Sequence, residues 1–229
     1  MDAIRTTEKA RIEEAAEIIF HSLSNNGFLY AFGTGHGHMP AEELFYRAGG
    51  LVRVKPILDS RFMLHDSAST STLLERDESV AVEIMERYNP NNRDTIILAS
   101  NSGRNAMPVE LALLAKQSGV KTICITCLAQ SKNVASRHKS GKKLYEICDV
   151  TIDNHGVSGD ACVQIGDITV SPTSTVTGAA IVQSIVAEVV SISHNKGKIL
   201  EVFTSSNIDG GDEKNALNLK NYKDFIISL

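Results

Sequence analysis

The chain has 229 residues, of which 42% are apolar and 22% charged, an ordinary globular composition long enough to bury a substantial core in one domain. Its 27 acidic and 23 basic residues give a formal charge of -4, which removes the broad attraction to phosphate backbones behind most non-specific nucleic-acid affinity. A DNA- or RNA-binding role is therefore disfavoured.

The first twenty residues are charged throughout and lack the apolar segment of a signal peptide, and no later run approaches the roughly 20 apolar residues that span a bilayer. The reading is a cytoplasmic protein with no membrane partner. Four cysteines fit reduced thiols rather than a disulfide framework. Cys124 and Cys127 form a C-x-x-C inside a strand-like segment, where residues three apart point to opposite faces and cannot easily share an ion. Buried thiols are expected there.

In chain order, Ile12, Ala15, Ala16, Ile19, Phe20 and Leu23 recur at helical spacing, so an amphipathic helix ends near Asn25, Asn26 and Gly27. Strands and helices then alternate. A strand is expected over 27–33, a helix over 40–48, a strand over 51–57, a helix over 71–88, a strand over 94–100 and a helix over 108–119. Strands over 121–128 and 145–154 and a long helix over 173–193 complete the series. Nearly continuous apolar strands separated by helices require a parallel sheet covered on both faces with right-handed crossovers. The expected fold is a three-layer α/β/α sandwich around a doubly wound five-stranded parallel sheet. Residues 1–26 form a helix packed on the domain, 27–200 the domain, and 201–229 a polar extension or lid with a Gly-Gly turn and a short helix.

Ligands of open parallel sheets bind outside the carboxyl ends of the strands. Three loops meet this condition. The first carries Gly33, Thr34, Gly35 and His36, the second Ser100, Asn101, Ser102, Gly103, Arg104 and Asn105, and the third Thr173, Ser174 and Thr175. Glycines let a backbone approach an anion, hydroxyls donate to phosphate oxygens, and helix amino termini add unpaired N–H groups. Helix capping uses the same residue types and explains any one loop alone. Three on one sheet edge describe a phosphate cradle. The first loop lacks the third glycine of a dinucleotide fingerprint, and the Walker lysine is absent, so no nucleotide cofactor is expected.

The segments FGTGHGHMPAEELFYRAGG, ASNSGRN, DNHGVSGDA, PTSTVTGAA and SSNIDGGDEKN resemble the sugar isomerase (SIS) domain superfamily. From Gly27 onward the chain is similar to stand-alone SIS-domain proteins of the phosphoheptose isomerase-like group. The resemblance implies that Ser100, Asn101, Ser102 and Asn105 hold a sugar phosphate with help from Thr173, Ser174 and Thr175. It also implies a homodimer or homotetramer, and proton transfer by Glu43, the second Glu of AEEL. Gly37 stands where the isomerases commonly carry Ser, and Met39 where metal-using members carry His. No metal is expected.

Aldose–ketose isomerisation needs a base beside a carbonyl and an acid on its oxygen, so a Glu near a His is the minimal set. Glu43 can be that base, although a Glu there also complements a helix dipole. His36, His38, His65 and His155 lie in strand-end loops, and His155, then His65, are the favoured proton donors; a loop histidine is otherwise structural. His21, His138 and His194 are expected to be exposed. Arg104 is a further phosphate ligand, since guanidinium grips two oxygens. Asp209, Asp212 and Asn215 fit a closing lid or a solvated turn. The expected function is a phosphosugar isomerase; a non-catalytic phosphosugar-binding or sensing module and an amino-sugar-phosphate deaminase or etherase are the alternatives.

Overall fold

The computed structural model describes all residues from 1 to 229. Strands β1 (Leu29–Gly33), β2 (Val54–Ile57), β3 (Thr95–Ala99), β4 (Lys121–Thr126) and β5 (Val150–Asp153) form one parallel sheet in the order β2-β1-β3-β4-β5. Successive side chains of a strand face opposite ways, and here both ways lead into a core. Leu29 and Ala31 of β1, Ile97 of β3, Ile123 and Ile125 of β4 and Val150 and Ile152 of β5 join a cluster of 23 buried residues on one face. Tyr30, Phe32, Ile96, Leu98 and Cys124 join a cluster of 19 on the other. Two cores of similar size explain why the strands read as continuous apolar runs.

The first face is covered by α2 (Lys9–Ser24), α3 (Met39–Leu44) and α9 (Ser174–Asn195), with α1 (Asp2–Thr7) ahead of α2. Ala15, Ala16, Ile19, Phe20 and Leu23 of α2 are almost fully buried, so this helix belongs to the core itself. The second face carries α4 (Leu64–Leu74), α5 (Ser79–Tyr88), α6 (Ala106–Gln117) and α8 (Leu144–Ile147), with the single turn α7 (Leu128–Ser131) after β4. Phe32 meets Phe62 edge-on, ring centroids 5.8 Å apart at 89°. Burying one such ring contributes roughly 1.5–3 kcal/mol. The 22 residues of α9 are long and apolar enough to cross a membrane, which the sequence reading did not anticipate, but Ile181, Val182, Ile185, Val186 and Val189 are buried in the first core.

Four departures from expectation have local causes. The helix expected over 71–88 is two, α4 and α5, because the chain breaks at Glu75–Glu78; the Asp77 carboxylate takes the Ser79 amide at 2.9 Å and hydroxyl at 2.8 Å to start α5. The helix expected over 40–48 stops at Leu44, with Tyr46 in the left-handed region at φ 46°. The first part of the strand expected over 145–154 is α8, in which the Glu146 carboxylate accepts from the Lys143 amide at 2.8 Å. Finally, an antiparallel hairpin of β6 (Ala161–Ile165) and β7 (Ile168–Pro172) stands between β5 and α9. Its Gly166-Asp167 turn between β-branched runs is a hairpin signal that went unread.

The tail lies at the opposite end of the sheet from the strand carboxyl ends. Residues 201–203 pair with the chain leading into β2, and Tyr222 and Phe225 pack on Phe28, just before β1. The buried Asn215 of α10 (Gly211–Tyr222) bonds both the amide and the carbonyl of Thr204, at 2.9 and 2.7 Å.

Candidate functional site

The chain passes from β1 outward to β2 and then returns to the other side with β3, so the strand order reverses between β1 and β3. Loops leaving adjacent strands in opposite directions leave a crevice at such a point. A cavity of about 280 Å³ opens there, lined by Thr34, His36 and Gly37 after β1, by Ser100, Asn101, Ser102 and Asn105 after β3, and by Glu75, Gln130, Asn154, Asp160 and Ser174. Pro40 and Gly178, packed so that a Cβ on Gly178 would lie 3.0 Å from Pro40 Cγ, also line it, and only two of the sixteen lining residues are apolar.

The glycine loop folds back tightly on β1. A Cβ on Gly33 would sit 1.9 Å from the Gly37 carbonyl oxygen, and one on Gly37 2.7 Å from that of Ala99. A serine at position 37, as the resemblance implies for isomerases, would therefore displace β3 backbone. His36 is exposed at the cavity mouth. His38 is buried, its ring bonded to the Gly35 carbonyl.

The second loop is held by neighbours that leave most of its backbone amides free. The Asn101 carbonyl accepts from the Cys127 amide at 2.9 Å and the Thr126 hydroxyl at 3.1 Å, and the Gly103 carbonyl accepts from the Leu144 amide at 3.0 Å. Asn154 donates to the Asn101 side chain at 2.9 Å, and Asn101 donates to Gln130 at 3.2 Å. Gly103 has φ +58°, with Thr126 and Ser131 hydroxyls 3.0 and 3.1 Å from where a Cβ would stand. The amides of Asn101, Ser102, Arg104, Asn105 and Ala106, leading into α6, have no acceptor in the chain. Successive free amides at a helix entrance form an anion-binding concavity.

The third loop is arranged differently from the expectation that Thr173 and Ser174 serve a phosphate. Asp160, at φ 70°, turns its carboxylate onto the amino terminus of α9. It accepts from the Thr173 amide and hydroxyl at 3.0 and 2.9 Å and from the Ser174 amide and hydroxyl at 2.8 and 2.6 Å. Burial alone would raise this carboxyl, but the four hydrogen bonds from Ser174 and Thr173 hold it below the usual carboxylate range. A carboxylate thus occupies the place of an oxyanion. Because the folded-state value is lowered, the stabilisation is complete above the ordinary carboxylate range and disappears as pH falls through the lowered value. Asp160→Asn is expected to lower the melting temperature at pH 7 by ~2–8 °C, for ~1–2 kcal/mol of lost capping. Calorimetry from pH 7 downward should show the gap closing below about pH 4.

Of the residues expected from sequence, Thr34, His36, Ser100, Asn101, Ser102, Asn105 and Ser174 line the cavity, while Gly35, Gly103, Arg104 and Thr173 lie next to them in the same loops, Gly33 ends β1 and Thr175 lies in the first turn of α9, none of these six in the lining. The expected proton-transfer residues stand outside the lining. Glu43, a helical turn beyond Pro40, accepts from Gln183 Nε2 at 2.9 Å and pairs with Arg47 Nε at 2.9 Å. His155 meets Glu8 at 3.0 Å and Thr7 at 2.8 Å, clamping the α1–α2 junction to β5. His65 is exposed on α4.

Glu75, Gln130, Asn154 and Asp160 were missed. Glu75 was hidden by reading 71–88 as one helix; the break turns it into the cavity, where its carboxylate accepts from the Thr34 hydroxyl at 3.0 Å. Cys124 and Cys127 are fully buried, and the Cys127 thiol, pushed up by burial, donates to the Gly156 carbonyl at 3.0 Å. His138 is buried, contrary to expectation, because Glu110 and Glu78 lie 2.8 and 3.2 Å from Nε2 and the Ser140 amide donates to Nδ1 at 3.1 Å. This cluster has the ligand types for a cation, with donor atoms within 4.8 Å of one another. Lys139 already sits 2.7 Å from Glu78 and balances its charge.

Residues 1–127, more than half of the chain, match the family model described as SIS domain. A UPF0309 protein of Geobacillus thermodenitrificans is 44% identical over 96% of this chain and 89% of its own. A UPF0309 protein of Thermoanaerobacter pseudethanolicus is 43% identical over 97% of this chain and 93% of its own. At the level of fold, the chain is similar to the phosphoheptose isomerase of Neisseria gonorrhoeae (TM-score 0.51, 16% identity, 84% of this chain and 90% of that one). It is similar also to the sugar isomerase domain of the RpiR transcription factor of Sphaerobacter thermophilus (0.51, 15%, 97% and 90%). The NanR protein of Vibrio vulnificus, solved in complex with ManNAc-6P, shares it too (0.54, 13%, 98% and 64%). With the parallel sheet, its switch-point cavity and these matches together, the chain belongs to the SIS domain family, alongside the UPF0309 proteins.

Proposed function

We propose that the protein binds a phosphorylated sugar at the β1/β3 switch point and moves a proton next to the sugar's carbonyl, as an aldose–ketose isomerase does. One observation carries this reading: a single polar cavity combines the hydroxyls and free amides of the loop after β3 with one imidazole, His36, and the Glu75 carboxylate, while its second carboxylate, Asp160, is taken up by Thr173 and Ser174. The loop donors suit phosphate oxygens. Glu75 and His36 supply the base and acid that the carbonyl chemistry needs. Glu43, implied by resemblance, is the alternative base, and His155 and His65 are alternative donors if a neighbouring subunit completes the site. The same resemblance makes the protein a homodimer or homotetramer. The phosphoheptose isomerase and the ManNAc-6P complex that share the fold agree with this substrate class.

The test pairs binding with exchange. Hexose, hexosamine, heptulose and pentose phosphates are compared with their unphosphorylated forms by thermal shift, and each hit is followed by proton NMR in deuterated water. A phosphorylated ligand at a hundred times its Kd should stabilise the protein by about 2.7 kcal/mol, by mass action. Stabilisation by phosphorylated sugars alone, with deuterium entering beside the carbonyl, is the expected result. Stabilisation without exchange would leave a binding module. No stabilisation by any sugar phosphate would overturn the assignment.

A further inference from the structure

Three arginines stand next to residues that line the cavity. Arg76 follows the lining residue Glu75 at the end of α4, and Arg104 lies within the loop after β3. Arg137, in the segment after α7, donates from Nη1 to the Asn105 side chain at 2.8 Å and from its amide to the Arg104 carbonyl at 2.8 Å. Asn105 itself lines the cavity. None of the three guanidiniums takes part in any of the chain's ion pairs, in a chain where acidic residues outnumber basic ones. The adjacent Lys139, by contrast, is paired with Glu78 and Glu110. Arg104 Nε is buried without a hydrogen-bond partner, which is costly for a charged donor. Arg137 is exposed; the slight desolvation of its guanidinium, and then repulsion from Arg104 and Arg76, lower its pKa, while Glu75 opposes them.

Three guanidiniums around the single carboxylate of Glu75 leave this side of the cavity with a net positive charge that attracts an anion from outside the chain. The loop after β3 already offers neutral amides and hydroxyls for one phosphate, so the arginines supply a second anion subsite. We propose that the ligand is a sugar phosphate bearing a second anionic group, a carboxylate or another phosphate, which reaches past Asn105 and Glu75 to Arg76, Arg104 and Arg137. Guanidinium grips either group bidentately. The proposal rests on the phosphosugar reading and adds the substrate class.

Calorimetric titration of the full-length protein tests it, with glucose 6-phosphate set against 6-phosphogluconate and fructose 1,6-bisphosphate. The two ligands with a second anionic group separate a carboxylate from a second phosphate. At least one of them should bind about tenfold or more tightly than the monophosphate, since charge-assisted bonds are worth that much. The advantage should shrink as salt rises. Arg137→Gln and Arg76→Gln should each abolish most of it, with Arg137→Lys restoring only part, while monophosphate affinity stays within about threefold, because neither arginine belongs to the loop that takes the first phosphate. Equal affinity for all three ligands, or an advantage that survives the arginine variants, would overturn the second subsite and leave the phosphosugar reading intact. Absence of binding by both ligands with a second anionic group, where any monophosphate of the thermal-shift series binds, would overturn the second subsite alone; absence of binding by every sugar phosphate would overturn both. Variants that change the oligomeric state and not the ligand preference would assign the arginines to a subunit contact and overturn the proposal.

Discussion

Glu75→Gln is expected to slow deuterium entry beside the carbonyl of a bound sugar phosphate by about 10²- to 10⁴-fold, the usual worth of a positioned general base. The amide keeps the size of the side chain and can still accept from the Thr34 hydroxyl, which lies 3.0 Å from the carboxylate, so the loop after β1 should hold its shape. It cannot take a proton. Removing a negative charge from a cavity that also contains Asp160 should leave phosphate affinity equal or higher, with a gain below about tenfold. Loss of exchange with binding retained is therefore the signature, read from NMR exchange rates and thermal shift on the same preparations. Glu43→Gln is expected to cost less than tenfold, since that carboxylate is engaged by Arg47 and Gln183 outside the cavity. The reverse order, with Glu43→Gln silent in exchange and Glu75→Gln active, would return the base to the residue that family resemblance implies.

That contrast shows where sequence reasoning reached its limit. The sheet was legible because the central strands β1, β3 and β4 bury both faces, which produces the unbroken apolar runs around Ala31, Ile97 and Ile123. The loops after β1 and β3 were legible because their chemistry is local: Gly33 and Gly37 are forced by close backbone approach, and Ser100 to Asn105 form one continuous segment. Glu75 was not legible, because its role depends on a helix break set by the Asp77 carboxylate rather than by any glycine or proline. Asp160 was hidden for a similar reason. It stands at the base of a hairpin and reaches Thr173 and Ser174, thirteen and fourteen residues away, so the hydroxyls read as phosphate ligands have an internal partner. Gln130 and Asn154 act through Asn101 across different loops, a relation that no spacing along the chain records.

Gly33→Ala is expected to be the most damaging single-methyl change at the site. The added Cβ would lie 1.9 Å from the Gly37 carbonyl oxygen and 2.8 Å from the His38 nitrogen, both backbone atoms, so no side-chain rotation can relieve the overlap. Either β1 shifts, disturbing its ladder with β3 in which Gly33 pairs with Ala99, or the loop from Thr34 to His38 lifts away from the sheet. The first route damages packing around Phe32 and should cost about 2–4 kcal/mol, as overpacking with backbone movement does, or ~5–15 °C in melting temperature for a chain of this size. The second route moves His36 and Thr34 away from Glu75 and should abolish sugar-phosphate stabilisation even where the fold survives. Gly35→Ala separates the two effects. Gly35 has φ +54° but only Leu64 Cδ2, at 3.7 Å, near its would-be Cβ, so the cost is confined to left-handed strain of roughly 1–2 kcal/mol. Thermal melts and ligand-shift assays on both variants should rank Gly33→Ala well below Gly35→Ala in stability and in binding. Equal behaviour of the two would mean that the tight return of this loop onto β1 does not shape the cavity.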